Sequence, residues 1–310
     1  MRLIHKAVAK GIDILKSAAE HPLSSRRILA GLLGAPITHS ASPAMHERAA
    51  EALGLRCHYQ LIEVAGAKRE ELKSLLEGVR RLGFAGINVT FPYKEAVLDL
   101  LDELSTSSAA MVGAVNTVVV RDRRLIGYNT DMTGFARAVR GLVTASGHGP
   151  VAVIGAGGVG KAIAFALAGL GVSELRIFDN EHAKAGHLAT QLQDRVSTSV
   201  PHSLEEALRG VVGVVNGSPV GMLPNRGTPV PDVLLHGGLW VADAVYSPLW
   251  TPLLIAAKAK GAPVMTGREL AIYQAADAFE LFTGLAPSTT EMGIAFDDVM
   301  AKGYSASHAA

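Results

Sequence analysis

Four apolar residues, Val151 to Ile154, run without a break into Gly155-Ala156-Gly157-Gly158-Val159-Gly160, and Lys161 to Leu170 continues with the composition of a helix. A strand that turns straight into a helix through glycines at these spacings fits very few folds. Without Cβ atoms the turn can be tight and the backbone can come close to a pyrophosphate, whose charge the first N–H groups of the helix then face. The glycines alone would also suit a plain tight turn. A second apolar run, Glu174 to Phe178, ends in Asp179, 19 residues beyond Gly160. Near this spacing an acidic side chain meets the ribose hydroxyls of a bound dinucleotide. Gly155, Ala156, Gly157, Gly158, Val159, Gly160 and Asp179 are therefore candidate cofactor-binding residues. A carboxylate that accepts from the ribose 2′-hydroxyl repels an added phosphate, and Asn180, Glu181 and His182 supply no arginine to receive one. Arg176 and Lys184 are not obvious phosphate clamps. The pattern favours NAD and leaves NADP possible. A helix cap for the segment beginning near Glu181 would use Asp179 at the same position.

Around this motif the chain alternates short apolar runs with amphipathic stretches. From Ile28 it reads strand, helix over Pro43 to Leu53, strand CHYQLIEV, helix over Arg69 to Arg81, strand GINVT, and a helical stretch from Lys94 to Leu104. AVNTVVV and RLIGYN, separated by a polar turn, read as a hairpin or two adjacent strands. The turn-rich segment Thr144 to Pro150 precedes a second alternating series: VAVIG, ELRIF, an edge near Val200, GVVN, LWVADAVY, a helix over Pro252 to Lys260 and the short strand PVM. This predicts an α/β protein, with an N-terminal α/β domain followed by a Rossmann-type doubly wound sheet. The last expected helix covers Arg268 to Phe282 and returns to the first domain, and the terminal SASHAA is expected to fray. Residues 1–27 place Ile4, Val8, Ile12 and Leu15 at helical spacing and read as an amphipathic extension, with Asp13 and Glu20 arguing against an organellar transit peptide. The expected division is 28–131 with 267–310, and 132–266.

Composition narrows the function classes. With 29 Lys+Arg against 28 Asp+Glu and no long basic run, nucleic acid is not an expected partner. The lone Cys57 cannot form an internal disulfide, and no apolar stretch approaches the roughly 20 residues of a membrane span. A cytoplasmic, soluble protein, monomeric or homodimeric, is expected. The 11 histidines show no ligand spacing with a supporting acid or cysteine, so no metal is expected.

Polar residues gather at the carboxyl ends of apolar strands, where open α/β folds bind ligands. They fall in GAPITHSASPAMH, GINVTFPYK, GAVNT with GYNTD, and ELAIYQ. Each has a bland explanation: Ser42 can cap the helix that begins at Pro43, Asn88 and Thr90 can end a strand, and Lys94 can be a solvated lysine. Together with GAGGVG, NGSPVGM, DAVYSP and GRELAIYQ, their order and spacing resemble the shikimate dehydrogenase family, over Ile28 to about Phe296.

The resemblance implies a substrate domain joined to a dinucleotide-binding domain, with shikimate or quinate held in the cleft between them. It implies reversible hydride transfer between a nicotinamide cofactor and the ring alcohol. Lys94 and Asp131 correspond to the catalytic pair, Ser40 and Ser42 to carboxylate binders, and Asn88, Thr90, Asn116 and Gln274 to groups around the ring hydroxyls. Tyr246 joins them from the second domain. Asn216, Ser218, Ala244, Gly267 and Leu270 correspond to the cofactor side, Leu270 where family members often carry methionine beneath the nicotinamide. Glu47 replaces the usual Asn, and NGSPVGM the usual NATS-x-GM. The acidic Asp179-Asn180-Glu181 run resembles the NAD-using quinate/shikimate branch more than the NADP-using biosynthetic one. That biosynthetic enzyme and a non-catalytic dinucleotide sensor on the same fold are the alternatives.

Overall fold

The computed structural model describes residues 26–307, so the expected helical extension over residues 1–27 lies outside the described residues except for its last two positions. The first sheet is built from β1 (Arg27–Gly34), β2 (Arg56–Glu63), β3 (Gly86–Val89), β4 (Glu103–Leu104), β5 (Thr117–Arg121) and β6 (Arg124–Tyr128). Its order is β2-β1-β3-β5-β6-β4. Strands β1, β2 and β3 run parallel, whereas β5 is antiparallel to both β3 and β6. The β5–β6 hairpin turns through Asp122 and Arg123, both at positive φ, the backbone that matches strand twist in a two-residue loop.

The second sheet comprises β7 (Val151–Ile154), β8 (Glu174–Phe178), β9 (Ser197–Ser199), β10 (Gly213–Asn216), β11 (Trp240–Asp243) and β12 (Val264–Met265). All its pairings are parallel, in the order β12-β11-β10-β7-β8-β9. This is the doubly wound arrangement, whose order reverses between β7 and β10 and leaves a crevice at their carboxyl ends. The three central strands β7, β10 and β11 are buried at every residue, as a parallel sheet covered on both faces requires.

Helices α1 (Ser42–Ala52), α2 (Arg69–Arg81), α3 (Ala109–Val112), α4 (Thr130–Ala145), α5 (Gly158–Gly169), α6 (His182–Leu192), α7 (Leu204–Leu208), α8 (Pro252–Ala259), α9 (Gly267–Thr283) and α10 (Thr289–Ser307) complete the described chain. In α2 the buried stripe is Leu72, Leu76 and Val79, with Glu70 and Glu71 in the first turn and Arg80 and Arg81 in the last, so packing and dipole agree. Helix α4 sends Phe135, Val139 and Val143 into the same core as α5 and β7. Helices α9 and α10 pack Ala271, Ala275, Phe279, Met292 and Phe296 against Met45 and Ala49 of α1. The chain thus returns from the second sheet to the first.

Three expectations need correction. The stretch Lys94 to Leu104 is a series of turns, a short 3-10 segment at Leu98–Leu100 and strand β4. The carbonyl of Lys94, which a helix would give to the N–H of Leu98, instead accepts from Val115 N at 2.8 Å, and Leu98 N turns to Glu95 O. Ser42 is the first residue of α1 rather than its cap; Ala41 occupies the cap position without a side-chain bond. Helix α10 was not foreseen, and it carries part of the expected frayed tail to Ser307.

Candidate active site

Lys94 and Asp131 meet although they come from different elements. The turn after β3 is tied to Val115, two residues before β5, through the Lys94 carbonyl, and Asp131 stands in the first turn of α4. Asn129 caps that helix by accepting from Met132 N at 3.0 Å, while its Nδ2 donates to Ala114 O at 2.9 Å. The Lys94 ammonium donates to Asp131 Oδ2 at 2.6 Å, and the two side chains are 15% and 10% exposed. A Cβ built on Gly158 would lie 3.8 Å from Lys94 Cδ, so the amine's stem lies beside the glycine-rich turn. On the next residue along, Glu95 accepts from Lys161 of α5 at 2.7 Å. Tyr246, in the loop after β11, is 37% exposed, and its ring meets Phe296 of α10 edge-on at 5.8 Å.

Other candidate polar side chains stand near the carboxyl ends of β1 and β3, before α4 and on α9. Ser40 donates to Ser42 Oγ at 3.1 Å, and Ser42 N returns a bond to Ser40 Oγ at 3.2 Å. Asn88 and Asn116 are buried in one network with Thr117 and Thr130. Thr90 stands half-buried just past β3. Gln274 of α9 donates to Ala271 O at 3.0 Å, and its backbone presses on α4, because a Cβ at Gly134 would sit 2.5 Å from Gln274 N.

At the glycine-rich turn each glycine has a different reason. Gly155 adopts φ +101°, which favours glycine, and a Cβ there would come 2.8 Å from Ser218 N. A Cβ on Gly160 would overlap the carbonyl of Gly155. Gly157 is exposed, has φ −75°, and a Cβ there would meet nothing within 4 Å. No side chain caps α5. An open approach to uncapped N–H groups fits a dinucleotide's pyrophosphate. Ala156 N donates to Asp179 Oδ2 at 2.7 Å and Glu181 N to Oδ1 at 2.8 Å, so this carboxylate shapes the loop and also serves the cap-like role. Nearby cations are already paired: Arg176 with Glu174 at 3.2 Å, Lys184 with Glu181 at 2.5 Å.

The remaining cofactor-side positions converge on the carboxyl ends of β10, β11 and β12. Gly267 lies so close to the Ala244 carbonyl that a Cβ would come within 2.8 Å. Asn216 is fully buried and its amide is consumed locally: Nδ2 donates to Val220 O and Asp243 Oδ1, and Oδ1 accepts from Ser218 N and Oγ. Asn216 and Ser218 shape the loop rather than reach out of it. Leu270 is 6% exposed and joins the core that includes Phe135 and Val112. Sequence reasoning missed Tyr59, whose hydroxyl donates to Asn88 Oδ1 at 2.8 Å, and Glu47, which accepts from Tyr59 N at 2.9 Å. Tyr59 is the one fully buried residue of an otherwise half-exposed strand, a distinction no local pattern reveals.

A doubly wound sheet with a dinucleotide-type turn, beside an amine–carboxylate couple formed by the turn after β3 and the start of α4, defines the class of nicotinamide-dinucleotide dehydrogenases. A family model described as the shikimate dehydrogenase substrate binding domain matches residues 32–118. The chain is 43% identical to the shikimate dehydrogenase (NADP+) of Streptomyces avermitilis, over 85% of this chain and 93% of that protein. It is equally 43% identical to the quinate/shikimate dehydrogenase (NAD+) of Corynebacterium efficiens, over 87% and 97%. A solved quinate dehydrogenase from Corynebacterium glutamicum in complex with NAD superposes with a TM-score of 0.82 at 39% identity, covering 88% of this chain and 100% of that one. The chain belongs to the shikimate dehydrogenase family.

Proposed function

We propose that this protein is an NAD-preferring shikimate/quinate dehydrogenase, with residues 28–131 and 267–310 forming the substrate domain and 132–266 the dinucleotide-binding domain. The observation that carries the reading is the 2.6 Å contact between Lys94 Nζ and Asp131 Oδ2 beside the glycine-rich turn. NAD+, when bound, supplies the hydride acceptor. The protein supplies alignment and a place for the proton. In oxidation, the neutral Lys94 amine takes the proton of the ring hydroxyl, and in reduction its ammonium gives that proton to the carbonyl oxygen. Asp131 holds the amine in place for both directions. Ser40 and Ser42 receive the carboxylate, while Asn88, Thr90, Asn116, Gln274 and Tyr246 surround the ring hydroxyls. Buried amides and hydroxyls of this kind reject an analogue that leaves them unpaired.

For the dinucleotide, Gly155 to Gly160 would cradle the pyrophosphate and Asp179 would meet the adenosine ribose. The two relatives named above share the same identity with this chain and carry different cofactors in their names, so overall similarity does not choose between NAD and NADP. Asp179 does, because its carboxylate opposes a 2′-phosphate while Arg176 and Lys184 are held by their own acidic partners. The test is a steady-state matrix of shikimate and quinate against NAD and NADP. Turnover of at least one ring acid is expected, with kcat/KM for NAD exceeding that for NADP. A dinucleotide that binds without turnover in any of the four combinations would leave only a sensor.

A further inference from the structure

Residues 26–131 contain the first sheet with Lys94 and Asp131, and residues 151–266 contain the second sheet. Among the described residues, one hydrogen-bonded ion pair crosses between these two parts: Lys161 Nζ donates to Glu95 Oε1 at 2.7 Å. Both of its ends sit beside groups that the site depends on. Glu95 follows Lys94 directly in the turn after β3, and Lys161 lies in the first turn of α5, its N–H bonded to the Gly157 carbonyl at 2.8 Å. The same two parts also share an apolar core, to which Val112 and Ala114 contribute from one side and Ala162 and Ile163 of α5 from the other. Apolar burial is non-directional and leaves small rotations open, whereas a charge-assisted hydrogen bond fixes both a distance and a direction.

The Lys161 side chain is 15% exposed and that of Glu95 53%. With one partner half in water the pair adds little to global stability, so its consequence lies in geometry. A cation in the first turn of a helix opposes the positive end of the helix dipole, and α5 has neither an acidic residue in that turn nor a side-chain cap. Glu95 brings the missing carboxylate from the other part of the molecule. The turn that carries Lys94 is itself held firmly to the first sheet. Its Lys94 carbonyl accepts from Val115 N at 2.8 Å, and the neighbouring Tyr93 hydroxyl donates to Val64 O at 2.7 Å and accepts from Ala67 N at 2.8 Å. Because the turn is fixed on that side, the bond from Glu95 to α5 sets how Lys94 stands against the glycine-rich turn, where a Cβ on Gly158 would lie 3.8 Å from Lys94 Cδ.

We propose that Glu95 and Lys161 are positioning residues, a clasp between the two domains that holds the Lys94 amine in register with the helix whose N-terminus receives the dinucleotide. The inference rests on the functional reading above. The clasp touches neither ring acid nor the reacting atoms; it acts by fixing the separation of the group that handles the proton from the domain that carries the hydride acceptor. Glu95→Gln and Lys161→Met each remove the ion pair while keeping the length of the side chain.

Steady-state kinetics of the wild type, both single variants and the double variant, with ring acid and NAD varied in turn, test this. Each single variant is expected to lower kcat about 3- to 10-fold, with KM for the ring acid and for NAD within about threefold. The double variant should fall no further than the slower single one, because the same bond is lost only once. Small-angle X-ray scattering of the protein without ligands should give a larger radius of gyration for Glu95→Gln than for the wild type. Unchanged kcat in both single variants, or losses that multiply in the double variant, overturns the clasp. So does a KM for NAD raised by Lys161→Met alone, since Lys161 would then serve the pyrophosphate directly. A wild type that turns over neither ring acid overturns the functional reading instead, and the scattering comparison still decides the clasp: identical profiles for Glu95→Gln and the wild type refute it.

Discussion

Lys94 holds its ammonium against Asp131 with both side chains largely removed from water, an arrangement suited to proton transfer at a fixed point and poorly suited to mere solubility. Lys94→Ala is expected to lower kcat by about two to four orders of magnitude, the range for losing a positioned acid or base, while NAD still binds. Turnover close to wild type would remove the assignment. A second buried acid has a separate signature. Burial pushes the Asp243 carboxyl up to about 6, against the opposing bonds from Thr251 Oγ1, Val245 N and Asn216 Nδ2. A raised carboxyl favours the protonated folded state, so its stabilising contribution is present at low pH and disappears as pH rises through about 6. A shift of this size corresponds to roughly 2–3 kcal/mol. The melting temperature of the wild type should therefore exceed that of Asp243→Asn by more at pH 4 than at pH 7. A gap that stays constant or narrows at pH 4 would contradict the assignment. The residue identities at the centre were legible because the motifs carry them, but Tyr59 and Glu47 were not. Tyr59 matters through what strand β2 faces in the folded chain, which nothing in CHYQLIEV states, and Glu47 of α1 through its bond to the Tyr59 N–H.

The turn from β7 into α5 separates two uses of glycine within one element. Gly157 has a backbone any residue adopts and empty space where its Cβ would be, so Gly157→Ala should leave the melting temperature unchanged. The added methyl would occupy the approach to the α5 N-terminus, and KM for NAD should rise by about tenfold or more. Gly160→Ala should instead destabilise the fold, because its Cβ would overlap the Gly155 carbonyl. Thermal melts and dinucleotide titrations of both variants check the contrast; equal NAD binding by Gly157→Ala and the wild type would remove the pyrophosphate from this position. Most elements were readable at this scale because their periodicities are strong. The failure over Lys94 to Leu104 has a definite cause: the Lys94 carbonyl is claimed by Val115, two residues before β5, and the Asp102 N–H by Leu125 of β6. Long-range bonds replaced a helix that the local pattern allowed.

At the scale of the molecule, α4 and α9 hold two of the proposed site residues in common alignment. Asp131 starts α4 and Gln274 lies on α9, and the helices approach so closely at Gly134 that a side chain would meet the Gln274 backbone. Arg137 and Thr133 of α4 both bond to Asp277 a turn beyond, and the Arg137 guanidinium lies over the Tyr273 ring at 4.6 Å. Gly134→Ala should force the helices apart, lowering the melting temperature by about 2–8 °C and kcat/KM for the ring acid by at least about tenfold, with NAD affinity retained. Unaltered catalysis would show that this crossing does not set the site. The amino-acid sequence by itself determined most of the alternation of strands and helices and the glycine-rich turn, because these follow from periodicity and from short-range backbone geometry, while the resemblance of its motifs pointed to Lys94 and Asp131 as the proposed acid–base pair. Only the tertiary structure decided how the amides of Asn88 and Asn116 are oriented, that Lys94 sits in a turn, and that Tyr59 donates to Asn88. Those outcomes depend on hydrogen bonds between residues distant in the chain, where each donor and acceptor has many possible partners until packing selects one.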